Sequence, residues 1–112
     1  MNLINIVNHI LQQMSQKPKK SNYAVVFISK LNEGITGYQE MNELTYNEAL
    51  KIPGFIKENS ARNTDKTGVS VSFWENMESI NQWKENIIHK VAKEKGKTEF
   101  YEYFEVYITQ IQ

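Results

Sequence analysis

The sequence contains no cysteine, one arginine (Arg62), one aspartate (Asp65), two histidines and two prolines among its 112 residues. Without cysteine the chain forms no disulfide, no thiolate metal site and no iron–sulfur cluster, and it has no cysteine nucleophile. The histidines, His9 and His89, are far apart in the chain, which argues against a metal site. Asp65 falls in a predicted turn, which argues against a Ser-His-Asp catalytic set.

Net charge is also lacking, because thirteen basic residues balance thirteen acidic ones. A chain without net charge has no overall electrostatic field to attract nucleic acid. It also has only one arginine, the side chain that nucleic-acid-binding proteins use most. No apolar run approaches the length of a membrane span, and no secretory signal is recognisable at the N-terminus. We therefore expect no nucleic-acid or membrane partner, and the cysteine-free composition predicts a cytoplasmic location.

Two segments are predicted along the chain, residues 1–21 and a single domain over residues 22–112. The first opens with an amphipathic helix and continues into a polar linker, SQKPKKS, at residues 15–21. The polar face of this helix lacks lysine and arginine, so it favours a protein surface over a bilayer. Its apolar stripe consists of Leu3, Ile6, Val7, Ile10, Leu11 and Met14.

The second segment is organised around GVSVSFWENMESINQW, residues 68–83, where a strand of period two runs directly into an amphipathic helix. Asn76 occupies the N-cap position of that helix. A strand at residues 23–31 and a helix from Tyr38 to Ile52 come before it, followed by a second strand at residues 55–63. A last strand covers residues 101–111, and its alternation predicts that Tyr101, Tyr103 and Tyr107 share one face. The order β-α-β-β-α-β predicts a ferredoxin-like α+β fold with a four-stranded antiparallel sheet.

Both faces of this sheet are predicted to be apolar, although two helices can cover only one of them. Three of the four strands carry apolar or aromatic side chains at odd and even positions alike. A second copy of the sheet, packed face to face, would cover the remaining face, so we expect a homodimer through the sheet face. The alternative is that the N-terminal helix alone covers this face.

The chain from Tyr23 to Gln110 resembles the antibiotic biosynthesis monooxygenase (ABM) domain family of the dimeric α+β barrel superfamily. The resemblance lies in YAVVF, GYQEM, PGFIKENSAR, GVSVSFWENMESINQWK and FYEYFEVYITQI, in this order and spacing, with His89 six residues after Trp83. It implies a dimeric barrel with a pocket between helices and sheet in each subunit. It further implies a cofactor-independent monooxygenase acting on a planar aromatic or quinol substrate.

A related branch of this superfamily degrades haem, and the resemblance to that branch is incomplete. Its pocket tryptophan corresponds to Trp83, but its catalytic asparagine corresponds to Phe27 and its axial histidine falls near Lys93. A haem cofactor is therefore possible but disfavoured, and no cofactor or metal is expected. The alternatives to a monooxygenase are a non-catalytic or stress-related dimer that binds a small molecule, and a haem-binding or haem-degrading protein.

Seven residues are candidates for the site. His89 is the candidate catalytic residue, because imidazole exchanges protons near neutral pH, although an uninterrupted helix would turn it to the solvent side. The indoles of Trp74 and Trp83 are suited to stacking a planar ligand, and core packing is the alternative role for both. Amide, guanidinium and phenol groups could hold substrate oxygens, and the candidates of this kind are Asn59, Arg62, Tyr38 and Tyr101. The alternative role is solvation at a strand edge for the first two and core or dimer packing for the two tyrosines.

Overall fold

The computed structural model of the chain describes residues 2–15 and 19–112. In chain order its elements are α1 (Leu3–Ser15), β1 (Tyr23–Leu31), α2 (Tyr38–Leu50), β2 (Phe55–Arg62), β3 (Thr67–Trp74), α3 (Met77–Glu85), α4 (Ile87–Lys95), a single π-helical turn (Gly96–Phe100) and β4 (Tyr101–Gln110). The predicted ferredoxin-like α+β fold with an additional N-terminal helix is confirmed. Part of the predicted linker, residues 16–18, lies outside the described residues.

The four strands form one antiparallel sheet in the order β2-β3-β1-β4. Since residues directly opposite each other share a face, the register separates the side chains into two sets. Tyr23, Trp74 and Phe55 lie on the face that packs against α2 and α3, which we call the helix face. Val26 and Val71 lie on the other face, which we call the open face.

Two register shifts alter the simple alternation of side chains. One lies between Phe55 and Lys57 on β2, and the other lies where Lys30 and Leu31 pair with β4. The second shift places Tyr101 opposite Leu31 and therefore on the helix face, whereas strict alternation predicted that it shares a face with Tyr103. That sequence-based assignment of Tyr101 is corrected by the bulge.

The core lies between the helix face and the helices α2 and α3. Trp74 is fully buried at its centre, and its Nε1 donates a hydrogen bond of 2.8 Å to Oγ of Ser72. Its indole makes edge and tilted contacts with Phe55, at 5.1 Å, and with Trp83, at 5.4 Å, between ring centroids. The buried cluster comprises Val25, Ala49, Ile52, Phe55, Trp74 and Ile80.

The predicted second helix is broken into α3 and α4 at Asn86. Asn76 caps α3 as predicted, since its Oδ1 accepts a 2.8 Å hydrogen bond from the backbone N–H of Ser79. Asn86 has an extended backbone, and its Oδ1 accepts from the backbone N–H groups of Ile88 and His89, so it begins a second helix. The single amphipathic helix predicted after β3 is therefore two helices, one ending at Glu85 and the other beginning at Ile87.

The open face and α1 both expose apolar side chains. Val69 is 41% exposed on the open face, and Leu3 is 74% exposed on α1. Other side chains of the α1 stripe are exposed as well, including those of Ile6, Val7, Ile10 and Leu11. Within residues 2–15 and 19–112, none of the helices has both the length and the apolar character that a membrane crossing requires.

Candidate functional site

A groove of about 400 Å³ lies between α2 and the helix face of the sheet. We call it the α2 groove. Its size falls within the range of small-molecule sites, and polar side chains line most of it. Glu58 and Ser60 come from β2, and the other lining residues come from α2; they are Asn42, Glu43, Tyr46 and Asn47.

The α2 groove is continued along β2 by Arg62. Glu58, Ser60 and Arg62 pair with Ser72, Ser70 and Gly68, so they occupy successive positions on the helix face. Four residues of extended strand separate the Cα atoms of Glu58 and Arg62 by about 13 Å. This line of side chains on β2 therefore has the carboxyl group of Glu58 at one end and the guanidinium group of Arg62 at the other.

Arg62 and the side chains around it, Ser29, Tyr38 and Tyr101, form a group that we call the Arg62 cluster. Nη2 of Arg62 donates to Oγ of Ser29 at 2.9 Å and, more weakly, to the hydroxyl of Tyr38 at 3.4 Å. Its Nη1 donates to the carbonyl oxygen of Lys66 at 2.7 Å. The guanidinium also lies 5.7 Å from the ring centroid of Tyr38, within the range of a cation–π contact.

Two glycines make room for this cluster. A Cβ atom at Gly68 would lie 2.8 Å from Cζ of Arg62, so only glycine leaves the guanidinium its position above β3. Gly37 has a φ of 81° and allows the chain to turn directly into α2, whose first residue is Tyr38. These backbone features place an arginine and a tyrosine from distant parts of the chain side by side.

Tyr101 completes the Arg62 cluster from β4. Burial, with smaller contributions from the neighbouring phenol of Tyr38, raises the pKa of the Tyr101 phenol, while the charge of Arg62 acts in the opposite direction. A second, smaller cavity of about 40 Å³ lies beside these two tyrosines. It has space for one to three water molecules. Its lining residues are Tyr38, Met41, Asn42, Thr45, Ala92, Phe100 and Tyr101.

Glu58 is the half-buried carboxyl group of the groove. Burial raises the pKa of Glu58, and a hydrogen bond from Ser70 partly offsets that rise. The charge of Glu58 also contributes to the raised pKa of Tyr101, so the two groups are electrostatically linked. The side chain therefore binds a proton more readily than an exposed glutamate does.

The structure brings Trp83 and His89 together at the junction of α3 and α4. Their ring centroids are 3.9 Å apart, and the ring planes are inclined by 35°. Burial, aided by the charges of Lys93 and Lys84, lowers the pKa of His89 to about 4, so the imidazole is neutral at pH 7. Nε1 of Trp83 is buried and has no hydrogen-bond partner within the described part of the chain. The expectation that His89 faces solvent is corrected by the break at Asn86.

The seven predicted site residues lie in four different places. Arg62, Tyr38 and Tyr101 come together in the Arg62 cluster. Trp83 and His89 form a separate stacked pair, which lines neither cavity. Trp74 is fully buried in the core, and Asn59 pairs with Val71 on the open face, away from the α2 groove.

Sequence reasoning missed Glu58, Ser29 and Asn42. Alternation along β2 could have placed Glu58 on the same face as Arg62, because the two residues are four apart on one strand. Ser29 carries no such signal, since a serine within an apolar strand has many ordinary roles. Asn42 is shared by both cavities, but only the tertiary packing of α2 shows this.

The arrangement does not fit an axial haem ligand at His89. Its imidazole is stacked on the indole of Trp83 and lines neither of the two cavities, so no space for a haem adjoins it there. No group of three or more histidine, aspartate or glutamate side chains suited to a metal ion occurs among residues 2–15 and 19–112.

The fold of the chain is shared with proteins of known structure. SnoaB from Streptomyces nogalater, described as a cofactor-independent oxygenase, superposes with a TM-score of 0.70 at 10% identity, covering 83% of this chain and 95% of SnoaB. A protein from Nitrosomonas europaea, named provisionally as an antibiotic biosynthesis monooxygenase, superposes with a TM-score of 0.69 at 10% identity, covering 82% and 92%. The predicted ABM-domain fold is therefore confirmed.

Sequence similarity then identifies a family. The chain is 38% identical over 98 residues to YqjZ of Bacillus subtilis, a protein described as uncharacterized, with 88% of this chain and 86% of YqjZ covered. The protein belongs to the same family as YqjZ and has the fold of the ABM-domain proteins. No protein-family model matches the chain.

Proposed function

We propose that the protein is a cofactor-independent monooxygenase whose substrate is a small planar aromatic or quinol-type molecule bound in the α2 groove. The observation that carries the proposal is the Arg62 cluster, in which one guanidinium lies beside two phenols at the end of a groove of about 400 Å³. The fold shared with SnoaB, itself described as a cofactor-independent oxygenase, supports the same reaction class.

The chemistry follows from the charge that develops on such a substrate. Removal of a proton from a quinol or an anthrone-like molecule leaves an electron-rich anion, whose oxygen is stabilised by hydrogen bonds from Arg62 and Tyr38. The anion itself supplies the electrons that reduce dioxygen, so no cofactor is needed.

Oxygen uptake tests the proposal directly. The wild-type protein is supplied with anthrone and with 1,4-dihydroxynaphthalene, and dioxygen consumption is recorded above the rate in buffer. Arg62→Met removes the guanidinium and is expected to lower the catalysed rate by about 100-fold or more, in line with the loss of one anion-stabilising donor. Lys57→Met is the matched control, because it removes a cation from the same strand on the open face.

Two results would favour the alternatives. Absence of uptake on both substrates, together with quenching of tryptophan fluorescence by them, would favour a non-catalytic small-molecule binder. A Soret band on addition of equimolar haemin would favour the haem-binding alternative. The predicted catalytic role of His89 stays a prediction, and so does the predicted cytoplasmic location.

We also propose that two copies of the chain pair through the open face of the sheet. The apolar side chains of Val69 and Ile28 are exposed there, and the aromatic side chains of Tyr103 and Tyr107 extend the surface onto β4. A second copy would remove this apolar area from water, which is the main driving force for subunit association. The division of the chain into a helix with linker at residues 1–21 and a domain at residues 22–112 is part of the same proposal.

A further inference from the structure

We infer that Glu58 is the proton acceptor of the site, taking a proton from an activated C–H or O–H group of a substrate lying in the α2 groove. This inference rests on the proposed function for the identity of the substrate. It concerns a residue that neither the sequence motifs nor the comparisons with known proteins single out.

The position of Glu58 is the first argument. It lies on the helix face of β2 and lines the groove opposite the side chains of α2. Arg62 lies four residues further along the same face, so a planar substrate between them meets a carboxylate at one end and a guanidinium at the other. One end can remove a proton while the other stabilises the resulting anion.

The surroundings of Glu58 are the second argument. The hydroxyl of Ser70 on β3 lies close enough to the carboxyl to stabilise its charged form. Two titratable groups, Glu43 and Tyr46, face the groove from α2. Tyr101 of β4 lines the smaller cavity and interacts electrostatically with Glu58. Partial burial raises the pKa of Glu58 above that of an exposed glutamate, which makes its carboxylate a better proton acceptor.

His89 is less suited to this role. Its imidazole is covered on one side by the indole of Trp83, and it lines neither cavity. Its pKa of about 4 also makes it a weak base. Glu58 is the carboxyl that combines partial burial with a position on the sheet side of the groove.

With an anthrone-like substrate the reaction balances as follows. The Glu58 carboxylate removes a proton from the central CH₂ group, and the electron pair of that C–H bond stays on carbon. The carbanion is oxidised as it bonds to dioxygen, which is reduced, and Glu58 returns the proton to give a hydroperoxide. Loss of water from the hydroperoxide forms the ketone, so one CH₂ group and one dioxygen yield one C=O group and one water.

Anaerobic hydrogen exchange isolates the step assigned to Glu58. Anthrone is incubated with the protein in D₂O without dioxygen, and deuterium at the central carbon is measured by mass spectrometry above the buffer rate. Glu58→Gln retains the shape of the side chain and its capacity to accept from Ser70, and it is expected to lower the catalysed exchange by about 100-fold or more. Glu40→Gln, an exposed residue of α2 outside the groove, is the matched control.

A second variant tests the same assignment without removing the carboxyl. Ser70→Ala deletes the hydrogen bond that lowers the pKa of Glu58, so the rising limb of the exchange rate against pH is expected to move to higher pH. A purely structural role of Ser70 would change the rate without moving the limb.

The outcomes separate this inference from the proposed function. Exchange that depends on Glu58 without dioxygen uptake in air supports the inference and contradicts the monooxygenase. Dioxygen uptake with normal exchange in Glu58→Gln, or exchange lost in His89→Gln instead, overturns the inference alone. If the wild-type protein catalyses neither exchange nor uptake, both are overturned.

Discussion

The imidazole of His89 is stacked on the indole of Trp83, with 3.9 Å between their ring centroids. His89 lies six positions after Trp83, a spacing that would place the two side chains on different sides of a continuous helix. They meet because the chain leaves helical geometry at Asn86, where the backbone is extended. The contact is thus a consequence of one residue between α3 and α4.

Burial of His89 predicts acid sensitivity. The pKa is lowered from 6.5 to about 4, so the unfolded chain binds more protons than the folded one between these pH values. The contribution of neutral His89 to stability is therefore present above pH 6.5 and is lost as the pH falls toward 4. After allowance for partial exposure, we expect this loss to be about 2 kcal/mol. Urea unfolding at pH 7 and pH 4.5 measures it, and the extra loss should be absent in His89→Gln.

Removal of the cap at Asn86 is expected to release His89. Asn86→Ala should cost about 0.5–2 kcal/mol of stability, because the backbone N–H groups of Ile88 and His89 lose their acceptor. The pKa of His89, followed by NMR, should rise from about 4 toward 6.5 as the stack opens. Asn76→Ala, which removes the corresponding cap of α3, should carry a similar cost and leave the pKa of His89 unchanged.

Loss of the Ser72 hydroxyl should destabilise the core. In Ser72→Ala the fully buried Nε1 of Trp74 loses its acceptor, which is expected to cost about 1–3 kcal/mol in chemical unfolding. Trp74→Phe removes the donor, so in that background Ser72→Ala should cost less than about 0.5 kcal/mol. Equal costs in both backgrounds would assign the effect to packing instead of hydrogen bonding.

A charge on the open face should separate the proposed dimer. Val69→Asp places a carboxylate among apolar side chains at the predicted interface, so sedimentation velocity should show a shift from dimer to monomer. Leu44→Asp is the matched control, since Leu44 is a comparably exposed apolar residue on α2. A wild-type protein that sediments as a monomer at micromolar concentration would contradict the proposal.

The periodicity of the sequence was sufficient to predict the element order, since alternation and helical spacing differ clearly around Trp74 and Asn76. It could not predict the break at Asn86. Asparagine is tolerated within helices as well as at caps, and only the packing of α4 decides between the two roles. The bulge that turns Tyr101 to the helix face was missed for a similar reason, because an extra residue in one strand leaves no mark in composition.

The candidate site was predicted only in part. Arg62, Tyr38 and Tyr101 were identified individually from their chemistry, and the structure shows that they touch. Trp74 was an ambiguous candidate, since a large aromatic at a strand end suits a core as well as a ligand site. Alternation along β2 could have placed Glu58 on the face of Arg62, but it could not have predicted its partial burial, which depends on how α2 lies over β2.

β4 forms one margin of the sheet, and its far side is not bonded to any other strand of the described chain. Ten residues of such backbone can recruit a further strand from a neighbouring molecule, which is how fibrils grow. The carboxylates of Glu102 and Glu105 place negative charge along this margin, and like charges on approaching molecules oppose stacking. Dissolved salt screens such repulsion, so the protein should resist aggregation best at low ionic strength.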